Sequence, residues 1–302
     1  RLNPERAGRL VRPALTVRFA MKLQERAWKT RQRFHAPRIR FYRPARTRPV
    51  SVTGRACSQD CAHCGGRHLQ HMQELARALS AAPSKSYLVS GGCDEAGRVP
   101  IAEHIDVLRT LRERGRLNVH SGIVTERDVA VLRELDPVVS YDFVVHQPTI
   151  RTVYGHGRTA RDFVEGYRRL RSAGIRVVPH VLIGLNGGRV EGERAAVEAL
   201  RELGCEELVF LVLIPTRGSR FAAAKPPAPE EVADILCWAR IALPEANIRL
   251  GCMRPGGRYR RDLDPLAVRA GVNGIVKPDP AAVRAAEEVD LEIEWGEECC
   301  VF

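Results

Sequence analysis

The stretch PVSVTGRACSQDCAHCGGRHLQHMQELARALSAAPSKSYLVSGG, residues 49–92, contains one complete unit of the chain. Its start, 49–54, is short, apolar and β-branched and closes on Gly54, which reads as a buried strand. Leu69, Met72, Leu75 and Leu79 then recur at helical spacing over 69–79, and 86–92 is a second apolar run ending in Gly91 and Gly92. Parallel strands need a long crossover, so strand, loop, helix and strand in this order spell a βαβ unit. The loop between the first strand and the helix holds Cys57, Cys61 and Cys64, spaced C-x3-C-x2-C.

The rhythm continues along the chain. Strands are expected at 117–124, 138–145, 176–185, 207–215, 247–252 and 273–278. Helices are expected at 101–111, 126–135, 159–173, 191–203, 229–242, 264–270 and 279–290. Near-continuous apolar strands that alternate with helices predict an α/β fold with a parallel sheet, and the tally is that of a (β/α)8 TIM-type barrel. A doubly wound open sheet is the alternative arrangement of the same elements. The expected organisation is a basic N-terminal arm over 1–48, a barrel over 49–290 and a cysteine-containing tail over 291–302. Within the arm, a helix is expected over about 14–34 and a short strand at RIRFY, 38–42.

Composition narrows the class. No apolar run approaches the ~18 residues of a membrane span, and the Arg-rich start has no apolar leader, so a soluble cytoplasmic protein is expected. The formal net charge of +12 is concentrated at the start, where residues 1–50 carry fifteen Lys and Arg against two Glu. Such a segment suits an acidic protein partner, or a solvated face; nucleic acid is the weaker alternative because it would leave the cysteines without a purpose.

Nine cysteines, an odd number with three clustered, argue for reduced, metal-binding thiols over a disulfide framework. Barrel chemistry sits at the C-terminal ends of strands. There the sequence places the cysteine triad, Ser90–Gly92 with Cys93, His120, Asp142, His180, Gly184 with Leu185, and Cys252. The tail adds Cys299 and Cys300. Cys205 lies before a strand and Cys237 lies in a helix among apolar residues, which suits small buried side chains. The triad lacks a fourth ligand. His63, His68 or His71 could complete a tetrahedral zinc site, or three thiolates could hold a 4Fe–4S cluster whose fourth iron stays open.

C-x3-C-x2-C after the first barrel strand, with SGG (90–92) after the second, resembles the radical S-adenosylmethionine (SAM) superfamily. The resemblance implies a 4Fe–4S cluster on Cys57, Cys61 and Cys64 whose open iron is chelated by SAM, and cleavage of SAM to a 5′-deoxyadenosyl radical. It implies SAM contacts from Ser90, Gly91 and Gly92, from Ser140 and Asp142 on the fourth strand, and from Gly184 and Leu185 after the fifth. Two positions depart from the family: His63 replaces an aromatic residue, and Cys93 replaces Glu. GCMRPGGRYRRDLDPLAVRAGVNGIVKP (251–278) resembles the barrel end of biotin-synthase-like proteins. The ensemble, with LNVHSG, VVPHVLIGL and the terminal CC, is similar to subunits of the two-component lipoyl synthases.

That likeness implies sulfur insertion into an octanoyl chain on a lysine of a lipoyl carrier protein or domain, a sister radical SAM subunit, and an electron donor such as ferredoxin. A second, auxiliary 4Fe–4S cluster would serve as sulfur source, with Cys93, Cys252, Cys299 and Cys300 as expected ligands and His120 and His180 in reserve. The tail is expected to fold back over the barrel mouth. A radical SAM methylase or mutase without a second cluster, and a zinc hydrolase, are the competing readings.

Overall fold

The computed structural model describes residues 21–302 apart from residue 156; the expected beginning of the N-terminal helix lies outside the described residues. Helix α1 covers 21–34. The strands are β1 (Arg38–Tyr42), β2 (Thr47–Ser51), β3 (Gln73–Glu74), β4 (Ser86–Ser90), β5 (Arg116–His120), β6 (Val138–Asp142), β7 (Arg176–Ile183), β8 (Glu207–Val212), β9 (Asn247–Leu250), β10 (Gly274–Val276) and β11 (Glu292–Gly296). The remaining helices are α2 (Leu75–Ser80), α3 (Ile105–Arg114), α4 (Glu126–Leu135), α5 (Gln147–Val153), α6 (Ala160–Ser172), α7 (Glu193–Glu202), α8 (Pro229–Ala242), α9 (Arg258–Arg269) and α10 (Pro280–Glu287).

One parallel sheet runs β11-β1-β10-β9-β8-β7-β6-β5-β4-β2-β3. Its curl follows from the covalent chain. β1 bonds to β10 and β2 bonds to β4, near opposite ends of this order, yet Tyr42 and Thr47 are consecutive strand ends. A link of five Cα steps spans at most roughly 19 Å, so the two ends of the sheet must come together. Helices cover the outside by their apolar faces; α6, for example, buries Phe163, Tyr167 and Leu170. The fold is therefore a parallel barrel, built as a curled sheet with helices around it.

Three local differences from the expected elements have physical causes. The helix expected over 69–79 is split into a 3₁₀ turn, Arg67–His71, and α2, because Gln73 and Glu74 return to pair with Val50 and Ser51. A helix not foreseen, α5, follows β6 with Pro148 in its first turn, a position where the missing N–H costs nothing. The tail contributes β11, whose residues pair in register with β1, Arg38 opposite Glu292 through Tyr42 opposite Gly296.

The basic segment is built into this body from α1 onward. Leu23 and Ala27 are buried, and so is Arg31, which donates to the carbonyls of Ala36 and Arg38. Beneath it, Arg240 donates to the carbonyls of Gly271 and Ala246 and meets His35. Arg31 is thus a structural side chain, whereas Arg33 is exposed.

Candidate functional site

The cysteine loop leaves the C-terminal end of β2 and is clamped from three sides. Thr53 Oγ1 donates to the Ala56 carbonyl at 2.9 Å and accepts from the Gly92 amide at 2.7 Å. The Ser58 amide donates to the Cys93 carbonyl, and Gln59 Nε2 donates to the Asp94 carbonyl. On the far side, the Ala62 amide bonds to Val153 O, the Phe221 amide bonds to Ala62 O, and Arg220 donates to the carbonyls of Asp60 and Val153. Glycine is required at position 92, because a Cβ there would lie 1.9 Å from Ala56 O and 2.5 Å from Cys57 Cα.

Cys57, Cys61 and Cys64 are all partly buried on this loop. A hydrogen bond with Cys64 raises the Cys61 thiol, and burial raises it further. The same bond holds Cys64 low against burial, with help from His63. His63 pays for its burial through that contact: desolvation disfavours its charge, but the bond to Cys64 and the field of Asp142 raise its pKa on balance. The ring stands edge-on to Tyr154 at 6.1 Å, and its buried Nδ1 has no hydrogen-bond partner. Cys93 belongs to this group as well. Burial, then Cys57, Asp142, Asp94 and Cys64, push its thiol up to about 12.

Among the described residues, no three Cys, His, Asp or Glu side chains are placed as ready ligands of one ion. The chemistry of the donor set nevertheless fits an iron–sulfur cluster. Three thiols share one short loop, and Cys64 is held low by Cys61 and His63.

The barrel interior below the loop is lined by Asp142, His120 and His180. The two imidazoles meet at 5.1 Å between ring centroids. His180 Nδ1 is 3.0 Å from Val178 O, and burial lowers its pKa to about 3, with His120 and Arg249 adding to the shift. Burial also lowers His120, opposed by Asp142. Both rings are therefore neutral at pH 7. Ser140 is buried and donates to Asn118 Oδ1 at 2.8 Å, and Asn118 Nδ2 donates to Cys299 Sγ at 3.4 Å. Ser140 thus connects to the tail, while Asp142 is the strand β6 residue that acts on the cysteine loop.

The tail enters the barrel at the end opposite the cysteine loop. The Arg43 and Arg46 amides bond to the carbonyls of Gly296 and Glu297, and the Cys299 amide donates to Thr47 Oγ1 at the start of β2. Arg116, at the start of β5, pairs with Glu298 at 2.5 Å. Cys300 and Val301 then pack on Tyr42, Val138, Val178, Val209 and Val276. Apolar burial and these bonds hold the tail inside, instead of over the mouth as the sequence suggested. A bond from Cys300 lowers the Cys299 thiol, opposed by burial and aided by the Val301 amide and Asn118. Cys252 lies two residues past β9, open to solvent yet deep enough for burial to raise it, with Cys299 as the next cause.

The structure therefore sorts the thiols into two groups. Cys57, Cys61, Cys64 and Cys93 gather at the ends of β2 and β4, and Cys299 and Cys300 lie at the far end; Cys252, just past the end of β9, acts electrostatically on the tail thiols. Cys93 was expected with the second set; its place directly after β4, bonded to Ser58, puts it in the first. Cys205 and Cys237 are buried in the core, as their sequence surroundings suggested. Ser90 Oγ donates to His120 O at 3.4 Å. The Gly184 amide donates to Glu193, and Leu185 is buried beside it. Thr53, Tyr154, Asn118 and Arg220 were missed. Each acts through a partner distant in sequence, and none sits in a recognisable spacing.

No protein-family model matches the chain. It is 27% identical over 249 residues to the biotin synthase of Pelotomaculum thermopropionicum, covering 75% of this chain and 74% of that protein. In structure it is similar to the FeFe-hydrogenase maturase HydG from Carboxydothermus hydrogenoformans, with a TM-score of 0.66 at 19% identity, covering 85% of this chain and 63% of that one. It is also similar to methylornithine synthase (PylB), with a TM-score of 0.64 at 13% identity, covering 91% and 89%. By sequence the chain is similar to biotin synthases at low identity, and by fold it is similar to enzymes that share its parallel barrel.

Proposed function

We propose that the chain is a radical SAM sulfur-insertion enzyme of the lipoyl-synthase type, acting on an octanoyl chain carried on a lysine of a carrier protein. The observation that carries this reading is that the barrel holds thiols beyond those of the cysteine loop, Cys299 and Cys300 seated inside it and Cys252 just past the end of β9. A cluster on Cys57, Cys61 and Cys64, when loaded, supplies the electron that cleaves SAM to the radical needed for an unactivated C–H bond. Gly91 and Gly92 lie against the loop and Asp142 faces it, which supports their roles toward SAM. Cys252, Cys299 and Cys300 are the residues for an auxiliary 4Fe–4S cluster, with Cys93 on the mouth side. Asn118 would hold Cys299 in place, with Ser140 fixing the Asn118 amide. The neutral His120 and His180 line the space between the two groups without placing a charge beside an alkyl chain.

The partners proposed are an acidic lipoyl carrier domain, a sister subunit and a ferredoxin-type reductant, drawn to the basic N-terminal segment or the cysteine-loop face. The test is an anaerobic assay with SAM, a reductant and an octanoyl-lysyl peptide, read by mass spectrometry. Wild type is expected to hold about eight irons per chain and add sulfur. Replacing Cys57, Cys61 and Cys64 together with Ala should abolish 5′-deoxyadenosine, whereas Cys252→Ala or Cys299→Ala should lose product and iron but keep SAM cleavage. About four irons and no thiolated product would instead favour another biotin-synthase-like radical SAM enzyme, such as a methylase or mutase.

A further inference from the structure

On the outer flank of the cysteine loop, between the 3₁₀ turn Arg67–His71 and the loop at 216–218, lies an open cavity of about 410 Å³. Arg67, His68, Gln70 and His71 form one side, and Thr216, Arg217 and Gly218 form the other. The lining has two guanidiniums and two imidazoles, and it has no carboxylate and no apolar side chain. Its volume falls in the range of small-molecule sites, about 300–1,000 Å³.

The two arginines bring positive charge to this cavity with no carboxylate in its lining to offset it. Arg67 and Arg217 have no ion pair among the described residues, and the nearby Asp60 is engaged by Arg220. Gly218, at φ +82°, leaves room for the Arg67 guanidinium beside the turn; a Cβ there would stand 2.9 Å from Arg67 Nη2. A guanidinium presents its N–H fork to paired oxygens. Thr216 spends its hydroxyl proton on Ile214 O at 3.0 Å, so donation to a ligand falls to the arginines and imidazoles.

The cavity touches the cysteine loop directly. The Arg67 amide bonds to Cys64 O at 3.0 Å, and a Cβ on Gly65 would lie 3.6 Å from Gly218 O. A ligand here would brace the loop from outside, on the face away from the barrel interior.

We propose that this cavity is an anion site that takes a phosphoryl-bearing ligand, with Arg67 and Arg217 as its principal donors. Such a site is independent of the sulfur-insertion reading, since it uses none of the thiols and is present without a cluster. The full-length chain, before and after anaerobic cluster reconstitution, is titrated calorimetrically with inorganic pyrophosphate and with inorganic phosphate. One saturable site per chain is expected in both forms. The double variant Arg67→Gln, Arg217→Gln should weaken it at least tenfold, with the circular dichroism spectrum unchanged. Arg258→Gln, which removes an exposed charge paired with Asp262, should leave it unaltered. Absence of saturable binding, full affinity in the double variant, or an equal loss in Arg258→Gln would each overturn the proposal.

Discussion

Replacing Gly92 with Ala tests how the glycine pair supports the cysteine loop. The added Cβ would stand 1.9 Å from Ala56 O, 2.5 Å from Cys57 Cα and 2.7 Å from Ala56 C, all backbone atoms. Carbon contacts settle near 3.5 Å or beyond, so the loop must retreat by about 1.5 Å. That retreat pulls on two hydrogen bonds across the same contact, Gly92 N to Thr53 Oγ1 at 2.7 Å and Ser58 N to Cys93 O at 2.9 Å. Overpacking of about 1–3 kcal/mol and two bonds at roughly 1 kcal/mol each together make a local loss of about 3–5 kcal/mol. Gly91→Ala is the matched control. Its nearest neighbours, at 3.0–3.2 Å, are side-chain atoms of Val52 and Thr53, which need to give by far less than the backbone facing Gly92. Iron content after anaerobic reconstitution and limited proteolysis within 55–66 read the loop, and circular dichroism reads the barrel. Gly92→Ala should lose iron and gain loop cleavage with its barrel intact, while Gly91→Ala stays close to wild type. Equal iron loading and protease resistance in the two variants would refute the reasoning.

Other perturbations probe the frame around the site. Arg254 and Asp264 form a fully buried pair, with bonds of 2.9 and 2.8 Å, and Arg254 also donates to Gly251 O and Val276 O behind Cys252. Arg254→Met should cost about 3–5 kcal/mol in denaturant unfolding by stranding Asp264; a loss below 1 kcal/mol would show that the pair is dispensable. His35 is held neutral, chiefly by burial and then by Arg240, with its pKa lowered to about 4. The unfolded chain therefore binds more protons between pH 6.5 and 4, so stability should fall as pH drops through that window. His35→Gln should flatten this slope, and an unchanged slope in the variant would assign it elsewhere. Thr125 caps α4 in a reciprocal pair with Asp128, and Thr125→Ala should cost about 1 kcal/mol in the same measurement.

Much of the site was legible because its information is local. Cys57, Cys61 and Cys64 stand within eight residues, so any compact loop brings their thiols near one another, and Gly91 and Gly92 announce a close backbone approach. Ser140 and Asp142 illustrate the boundary. Alternation along β6 puts both on one face, yet Asn118 on β5 draws Ser140 toward the tail while Asp142 remains at the mouth. Strand pairing made that difference, and a single strand does not contain it.

The sequence by itself determined the order and kind of the elements, since apolar periodicity and glycine breaks act over a few residues. Repeated βα units then leave a parallel barrel as the economical way to bury both faces of every strand. The tertiary structure alone decided which distant groups meet. Whether Arg31 is a surface charge or a buried strut depends on Gly271, where a Cβ would stand 3.0 Å from Arg31 Cβ, as well as on the nearby carbonyls of Ala36 and Arg38. Whether Cys299 and Cys300 cover the mouth or fill the far end depends on backbone bonds at 43–46 and an apolar seat for Val301. The contacts that seat the tail join residues far apart in the chain, and their free energy exists only once the sheet has curled to bring the partners within reach.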